Sequence, residues 1–307
     1  MSRTVFIDGA AGTTGLEIVE RLSARPEFSP LVLGEERRKQ DAARAEALND
    51  ADFVILCLPD EAARQAVAMI KSDRVRVIDA STAHRTAKGW VYGLPEVVGA
   101  REVASARRVS NPGCYSTGFI ALVAPLVSAG LLPADWPYVC HAVSGFSGGG
   151  KALIARFRAE PDIVWRGYGL GLGHKHVPEM QAHCGLKLPP LFSPAVVNAY
   201  RGMVVEVPLP LAAMPKAAPP DVLLASLHET YLSSPVITVC DEPFDELLLT
   251  ADAAPHDGME LFVFASADRS QARLMAQLDN LGKGASGATV QSLNLMAGLD
   301  ETAGLRL

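Results

Sequence analysis

An α/β fold is predicted, with a doubly wound parallel sheet in the first half of the chain and a second domain on a mixed or antiparallel sheet. Three observations predict it. Apolar runs of strand length alternate with segments of helical period as far as Val109. A glycine-rich turn joins the first strand to the first helix. Beyond residue 200, apolar runs return with the alternation of half-buried strands.

The first strand is Val5-Phe6-Ile7-Asp8, and Leu16 to Leu22 follows with helical spacing. Between them lie Gly9, Gly12, Thr13, Thr14 and Gly15. Strand, glycine turn and helix form the context of a dinucleotide site: glycines let the backbone approach a pyrophosphate, and the helix N-terminus supplies N–H donors. The spacing is GxxGxxG rather than the commoner GxGxxG, and a plain tight turn is the competing reading. Leu31-Val32-Leu33 reads as the second strand and runs into Glu35-Glu36-Arg37-Arg38-Lys39. An acid at this place suits the ribose hydroxyl of NAD, and an Arg such as Arg37 suits the 2′-phosphate of NADP. Both signs are present; three consecutive cations favour NADP.

Asp52 to Leu58 is a continuous apolar run, as expected of a central parallel strand. A helix opens at Pro59 and extends to Ile70. Val75 to Asp79 is the next strand, and Ala80 to Arg85 its polar loop. Ligands of doubly wound sheets sit at such carboxyl ends, so Ser81 and Arg85 are binding candidates. Arg85 suits an anionic group or, equally, a surface ion pair.

Residues 109–134 carry no charge. Asn111, Pro112, Gly113 and Pro125 interrupt the stretch, so a buried loop and buried helix are expected rather than a membrane span. That helix begins close to Cys114. A thiol at a helix N-terminus is favoured as the reactive thiolate, and the same amides can hold an oxyanion. Cys57 and Cys140 lie in strand-like runs and read as core residues, and Cys184 follows His183 in a helical stretch. Strand-like Tyr138 to Val143 leads into Ser144, Gly145 and the loop to Lys151.

Gly167, Gly169, Gly171 and Gly173 precede His174-Lys175-His176. If extended, this segment points both histidines to one face, where one serves as acid/base partner of the thiol. A metal site using His174, His176, His183 and Cys184 is the rival, but its spacings match no standard zinc pattern. Pro178-Glu179 starts a helix. Met203 to Pro210, Pro235 to Val239 and Leu261 to Ala265 are strands of the second sheet, and Asp221 to Tyr231 is a helix. The glycine-rich stretch Ala276 to Gly287 enters a final helix.

The composition excludes other classes. The 307 residues are 49% hydrophobic and 20% charged, enough for a sizeable core and roughly two domains. The net charge is −6, and no basic run exceeds three residues, so nucleic acid is not an expected partner. The first residues show no signal-peptide pattern, and five cysteines without close pairing fit reduced thiols; a cytoplasmic location is expected.

Taken together, Gly9-Ala-Ala-Gly12-Thr-Thr-Gly15, Asp79-Ala-Ser81 to Arg85, Tyr92-Gly-Leu-Pro-Glu96, Asn111-Pro-Gly-Cys114-Tyr-Ser-Thr117, Ser144-Gly-Phe-Ser-Gly148, His174-Lys-His176-Val-Pro-Glu179 and Asp279-Asn-Leu-Gly-Lys-Gly284 resemble the N-acetyl-γ-glutamyl-phosphate reductases, in the shorter (type 2) of the family's two forms. The resemblance runs over nearly the whole length. It implies a Rossmann-like dinucleotide-binding domain at 1–112, completed by 283–307, and an inserted α+β catalytic and oligomerisation domain with a mixed sheet at 113–282. It also implies NADP(H), no metal, a homo-oligomer (dimer or tetramer) and an acyl-phosphate substrate reduced through a cysteine thioester in arginine biosynthesis. Cys114 would be the nucleophile, and His174 or His176 the acid/base. Arg85, Asn111, Ser144 and Glu179 would meet the substrate. Gly9, Gly12, Thr13, Thr14, Gly15, Arg37, Ser81, Ser144, Gly145 and Asn280 would meet the cofactor. Aspartate-semialdehyde dehydrogenase and reductases of carrier-bound substrates share this chemistry, and a non-catalytic NADP(H) sensor is the alternative from another class.

Overall fold

The computed structural model describes residues 2–241 and 245–307. By internal contacts the chain divides into two units: Met1–Pro112 with Ala285–Leu305, and Gly113–Gly284 with Arg306–Leu307.

In the first unit, strands and helices alternate as β1 (Arg3–Asp8), α1 (Thr13–Ser23), β2 (Phe28–Leu31), α2 (Asp41–Asp50), β3 (Phe53–Leu56), α3 (Asp60–Met69) and β4 (Arg76–Asp79). Then come β5 (Val91–Tyr92), α4 (Pro95–Val98), α5 (Ala100–Ser105) and β6 (Arg108–Ser110). The sheet is parallel throughout, in the order β2-β1-β3-β4-β6-β5. Its central strand β3 is buried at every position, which explains why its sequence is a continuous apolar run. One apolar layer joins Val5, Ile7 and Ile55 to Ile18 and Leu22 of α1 and to Leu293 and Met296 of the helix Gly287–Ala297. The other joins Phe6, Val54 and Leu56 to Leu48 of α2 and Ala63 and Ala66 of α3. Covering both faces is the defining feature of a doubly wound sheet. The second strand lies earlier than its apolar signal predicted: β2 pairs with β1 only from Phe28 to Leu31, and Leu33, past its end, packs against the apolar layer of Phe6 and Val54.

The second unit begins with α6 (Cys114–Ser128) and continues with β7 (Val139–Gly145), α7 (Gly150–Ala159), β8 (Trp165–Gly167), α8 (Val177–His183) and β9 (Leu191–Val197). It is completed by β10 (Met203–Leu209), α9 (Pro220–Tyr231), β11 (Ile237–Cys240), β12 (Met259–Ala265) and β13 (Ala272–Leu278). The seven strands order as β11-β12-β13-β10-β7-β9-β8 and form a mixed sheet, since β11·β12 and β7·β9 are parallel and the other pairs antiparallel. Helix α6 is apolar on all sides because all sides are covered: Phe119, Ile120, Leu122, Val123 and Leu126 are buried. Gly118 permits its close approach to the sheet, where a Cβ would lie 2.9 Å from Val205 Cγ2 of β10 and 3.3 Å from Ala276 Cβ of β13. Tyr231 of α9 donates a hydrogen bond to the Ala121 carbonyl at 2.7 Å and fixes the helix from another side.

Three elements differ from the sequence expectation. Residues from Ala276 belong partly to β13, not to a loop. The segment after Ser144, expected as a loop to Lys151, is a tight turn (Phe146–Gly149) followed by α7. Strand β9 carried no expectation at all.

Candidate active site

The glycine turn of the first unit is folded as a phosphate cradle requires. Gly9 has φ +87°, and a Cβ there would lie 2.2 Å from the Cys57 carbonyl oxygen; at Gly15 it would lie 2.7 Å from that of Gly9. At Gly12 the nearest atom would be 3.5 Å away. Helix α1 starts at Thr13 and Thr14 with Gly12 as N-cap, no side-chain cap and no acid in its first turn, so its amides are kept for a ligand. The residues present therefore fit a dinucleotide.

Beside this turn, Asp79 at the end of β4 organises the polar loop. Its carboxylate accepts the Ser81 amide (2.9 Å) and hydroxyl (2.8 Å), and lies 2.6 Å from His84 Nδ1. His84 stacks on Trp90 at 4.1 Å. Arg85 is buried, and its Nε donates to the Asn111 carbonyl at 3.0 Å, which orients the guanidinium. The Asn111 amide donates to Ala285 O at 3.1 Å, while its Oδ1 is buried with no hydrogen-bond partner among the described residues. Ser81, Arg85 and Asn111 are thus brought together through one loop. Arg37 is not: it stands exposed in a short turn and pairs with Glu46 at 3.0 Å.

In the second unit the first residue of α6 is Cys114, half-buried, with Gly113 as N-cap. No side chain caps this helix and no acid sits in its first turn. The Gly113 amide donates to Glu179 Oε2 at 3.1 Å, and Glu179 Oε1 lies 4.0 Å from His176 Nε2. Glu179, expected at the substrate, is 1% exposed and instead joins the thiol turn to the histidines. The backbone at Gly284 crowds the thiol from another direction: a Cβ there would be 2.9 Å from Cys114 Cβ.

His174 and His176 have ring centres 4.7 Å apart. They meet in a turn before α8 and not on an extended strand, a correction to the expectation; Gly173 and Pro178 on either side disfavour a strand. The His176 amide donates to His174 Nδ1 at 3.2 Å, so the neutral ring of His174 carries its proton on Nε2. His176 is buried.

Two tyrosines complete the cluster and were not foreseen. Tyr115 is 5.8 Å from His176 and 6.4 Å from His174, ring to ring, and Tyr168 is 5.5 Å from His174. Tyr115 donates its hydroxyl proton to Ala195 O at 2.9 Å. Burial, followed by the negative charge of neighbours including Cys114, pushes Tyr115 well up. Burial likewise raises Tyr168 to about 12. Both stay protonated at neutral pH. Neither had a recognisable spacing; only Tyr115, beside Cys114, lay within a quoted motif.

The other thiols contrast with this one. Burial, with Asp79 and Asp8 beside it, lifts Cys57 to about 12, and burial raises Cys140 and Cys184 as well. Asn280 donates to Ser147 Oγ at 2.9 Å, and its Oδ1 is buried without a partner among the described residues. Gly145 lies against the backbone of Tyr200 and Arg201, where a Cβ would be 2.7 Å from Tyr200 O. Among the described residues no group of three or more His, Cys, Asp or Glu has a metal-ligand arrangement.

Residues 4–106 match the family "Semialdehyde dehydrogenase, NAD binding domain", and residues 114–280 match "Semialdehyde dehydrogenase, dimerisation domain". The N-acetyl-gamma-glutamyl-phosphate reductase of Trichormus variabilis is 46% identical, over 98% of each chain. That of Burkholderia ambifaria is 49% identical over 96% of each. The chain belongs to the N-acetyl-γ-glutamyl-phosphate reductase family. The protein called reductase 2 in Pseudomonas putida, 48% identical over 96% of each chain, is a further relative. Among solved structures, aspartate semialdehyde dehydrogenase II of Vibrio cholerae shares the fold, with a TM-score of 0.73 at 16% identity over 97% of this chain and 99% of that one. The Candida albicans aspartate semialdehyde dehydrogenase, solved with NADP, gives 0.67 at 15%, over 96% and 99%. Membership in the reductase family makes the chain an oxidoreductase with an NAD(P)-binding domain and gives the thiol cluster its chemical setting.

Proposed function

We propose that the chain reduces N-acetyl-L-glutamyl 5-phosphate to N-acetyl-L-glutamate 5-semialdehyde, with NADPH, through a thioester on Cys114. The observation that carries this reading is Cys114 at the uncapped start of α6, with the protonated Tyr115 and Tyr168 near it and His174 and His176 packed against those tyrosines.

The Cys114 thiolate attacks the acyl carbon; a C–S bond forms, the C–O bond to phosphorus breaks and inorganic phosphate leaves. The amides at the start of α6 face the charge that develops. NADPH, when bound, supplies the hydride that takes the thioester to the aldehyde level. The tetrahedral oxyanion then re-forms its carbonyl and expels the thiolate, which restores the enzyme. His174 takes the acid/base role, because its Nε2 carries the proton available to that oxygen, and buried His176 with Glu179 holds it in place. Arg85 is assigned to the substrate phosphate, and Asn111 and Ser144 to the substrate. Gly9, Gly12, Thr13, Thr14 and Gly15 would hold the pyrophosphate, with Arg37, Ser81, Ser144, Gly145 and Asn280 as further cofactor residues. The match to a dimerisation domain supports a homo-oligomer. Among the described residues no helix is long and apolar enough to cross a membrane, which is consistent with the proposed cytoplasmic location.

The reverse reaction tests the reading. N-acetylglutamate 5-semialdehyde, NADP and phosphate should yield NADPH, aspartate semialdehyde should not, and Cys114→Ser should abolish turnover. Preference for aspartate semialdehyde would move the chain to the other substrate, and normal turnover by Cys114→Ser would remove the thioester.

A further inference from the structure

The charged residues of the first unit do not present themselves to a ligand equally. After β2, Arg38 pairs with Glu35 at 2.8 Å and Arg37 with Glu46 at 3.0 Å. All four side chains are 40% exposed or more. Such pairs are solvated, screened and worth about 0–1 kcal/mol each. One cation differs. Arg44, in the first turns of α2, is only 12% exposed in its side chain, and both Nε (3.1 Å) and Nη2 (2.8 Å) donate to Oδ2 of Asp8. Asp8 is the last residue of β1 and directly precedes Gly9, so this ion pair stands at the carboxyl end of the sheet beside the glycine turn. Ligands of doubly wound sheets bind there. The remaining nitrogen, Nη1, lies 3.8 Å from the exposed Asp41, its one ion-pair neighbour among the described residues.

NADPH differs from NADH by one phosphate on the adenosine ribose, so a site that tells them apart needs a cation aimed at that phosphate and no free acid beside it. Asp8 meets both needs. It fixes the guanidinium in place, so little side-chain entropy remains to be lost on binding, and Arg44 in turn cancels its charge. We propose that Arg44, aimed by Asp8, contacts the 2′-phosphate of the cofactor and sets the preference for NADPH over NADH. Arg37 and its neighbours then add only general attraction. The inference rests on the reading that the glycine turn holds the dinucleotide.

Direct titration of the full chain with NADPH and with NADH, followed by nucleotide fluorescence, tests it without turnover. Arg44→Ala should weaken NADPH at least about tenfold, the loss of one charge-assisted contact, and leave NADH within about threefold. Arg44→Lys should fall between. Because Arg44→Ala leaves the Asp8 charge uncompensated, the double variant Asp8→Asn/Arg44→Ala decides the cause: weak NADPH binding with NADH retained supports a direct contact. Recovery of the original NADPH preference in that double variant would overturn the proposal, as would an unchanged NADPH-to-NADH ratio in Arg44→Ala, or an Arg37→Ala variant that loses the whole preference. Failure of the unaltered chain to bind either nucleotide would instead overturn the assignment of the glycine turn, and this inference with it.

Discussion

The starts of α1 and α6 are built alike and surrounded differently. Each has a glycine N-cap, no side-chain cap and no acid in its first turn. Helix α1 buries one stripe, Ile18 and Leu22 among it, and leaves Leu16 53% exposed. Helix α6 is buried from Tyr115 through Ala124. The difference suits the two tasks. A pyrophosphate must enter and leave, so its cradle needs an open side. A thiolate, by contrast, gains from amides whose field is undiluted by water, and from rings that hold it in one geometry.

Cys114→Ser breaks the comparison most severely. Turnover should fall at least about a thousandfold, since a nucleophile lost from a catalytic set costs that much or more, while NADPH titration stays unchanged. Gly284→Ala should come next. Its Cβ would press on Cys114 Cβ at 2.9 Å, and displacement of a reacting group by about 1 Å costs roughly a hundredfold in kcat. NADPH affinity should again hold, which assigns the loss to the thiol.

Gly15→Ala works on the other helix start. A Cβ at 2.7 Å from Gly9 O forces the turn open, at about 1–3 kcal/mol of stability by the usual cost of overpacking. The cofactor dissociation constant should rise, and the rate of Cys114 alkylation should not change; a changed alkylation rate would show that the two starts are coupled. The smallest effect concerns pH. Cys57 is raised from 9.0 to about 12, so between those values the unfolded chain releases a proton that the folded chain keeps. Stability from this group is fully present at neutral pH and declines as pH rises through that window. The denaturant midpoint should fall accordingly, and less so in Cys57→Ala.

The first unit was legible because its signals are local. Strand β3 is apolar throughout, the glycine turn sits between a strand and an amphipathic helix, and Pro59 marks the approach to α3. In the second unit the decisive information is distant. Strand β13, Ala-Arg-Leu-Met-Ala-Gln-Leu, has residues of helical preference; it is a strand because β10 and β12 flank it, and β10 lies some 70 residues earlier. Its glycine-rich sequel made the stretch look like a loop. Cys114 could be found from its turn, and the histidines from their alternation. Tyr168 could not, because only folding brings it to Tyr115. The Asp8–Arg44 pair was hidden similarly: Arg44 stands outside the run of three cations, and one α/β crossover carries it to the end of β1.

The helix Gly287–Ala297 has a consequence for the order of assembly. Leu293, Met296 and Ala297 belong to the same apolar layer as Val5, Ile7 and Ile18. The ribosome makes those partners nearly 300 residues apart, and at about 5–20 residues per second the early strands wait tens of seconds for their cover. Until then one face of the parallel sheet is an unfinished apolar surface. The first unit to be begun therefore gains the last of its apolar cover only when the chain is almost complete.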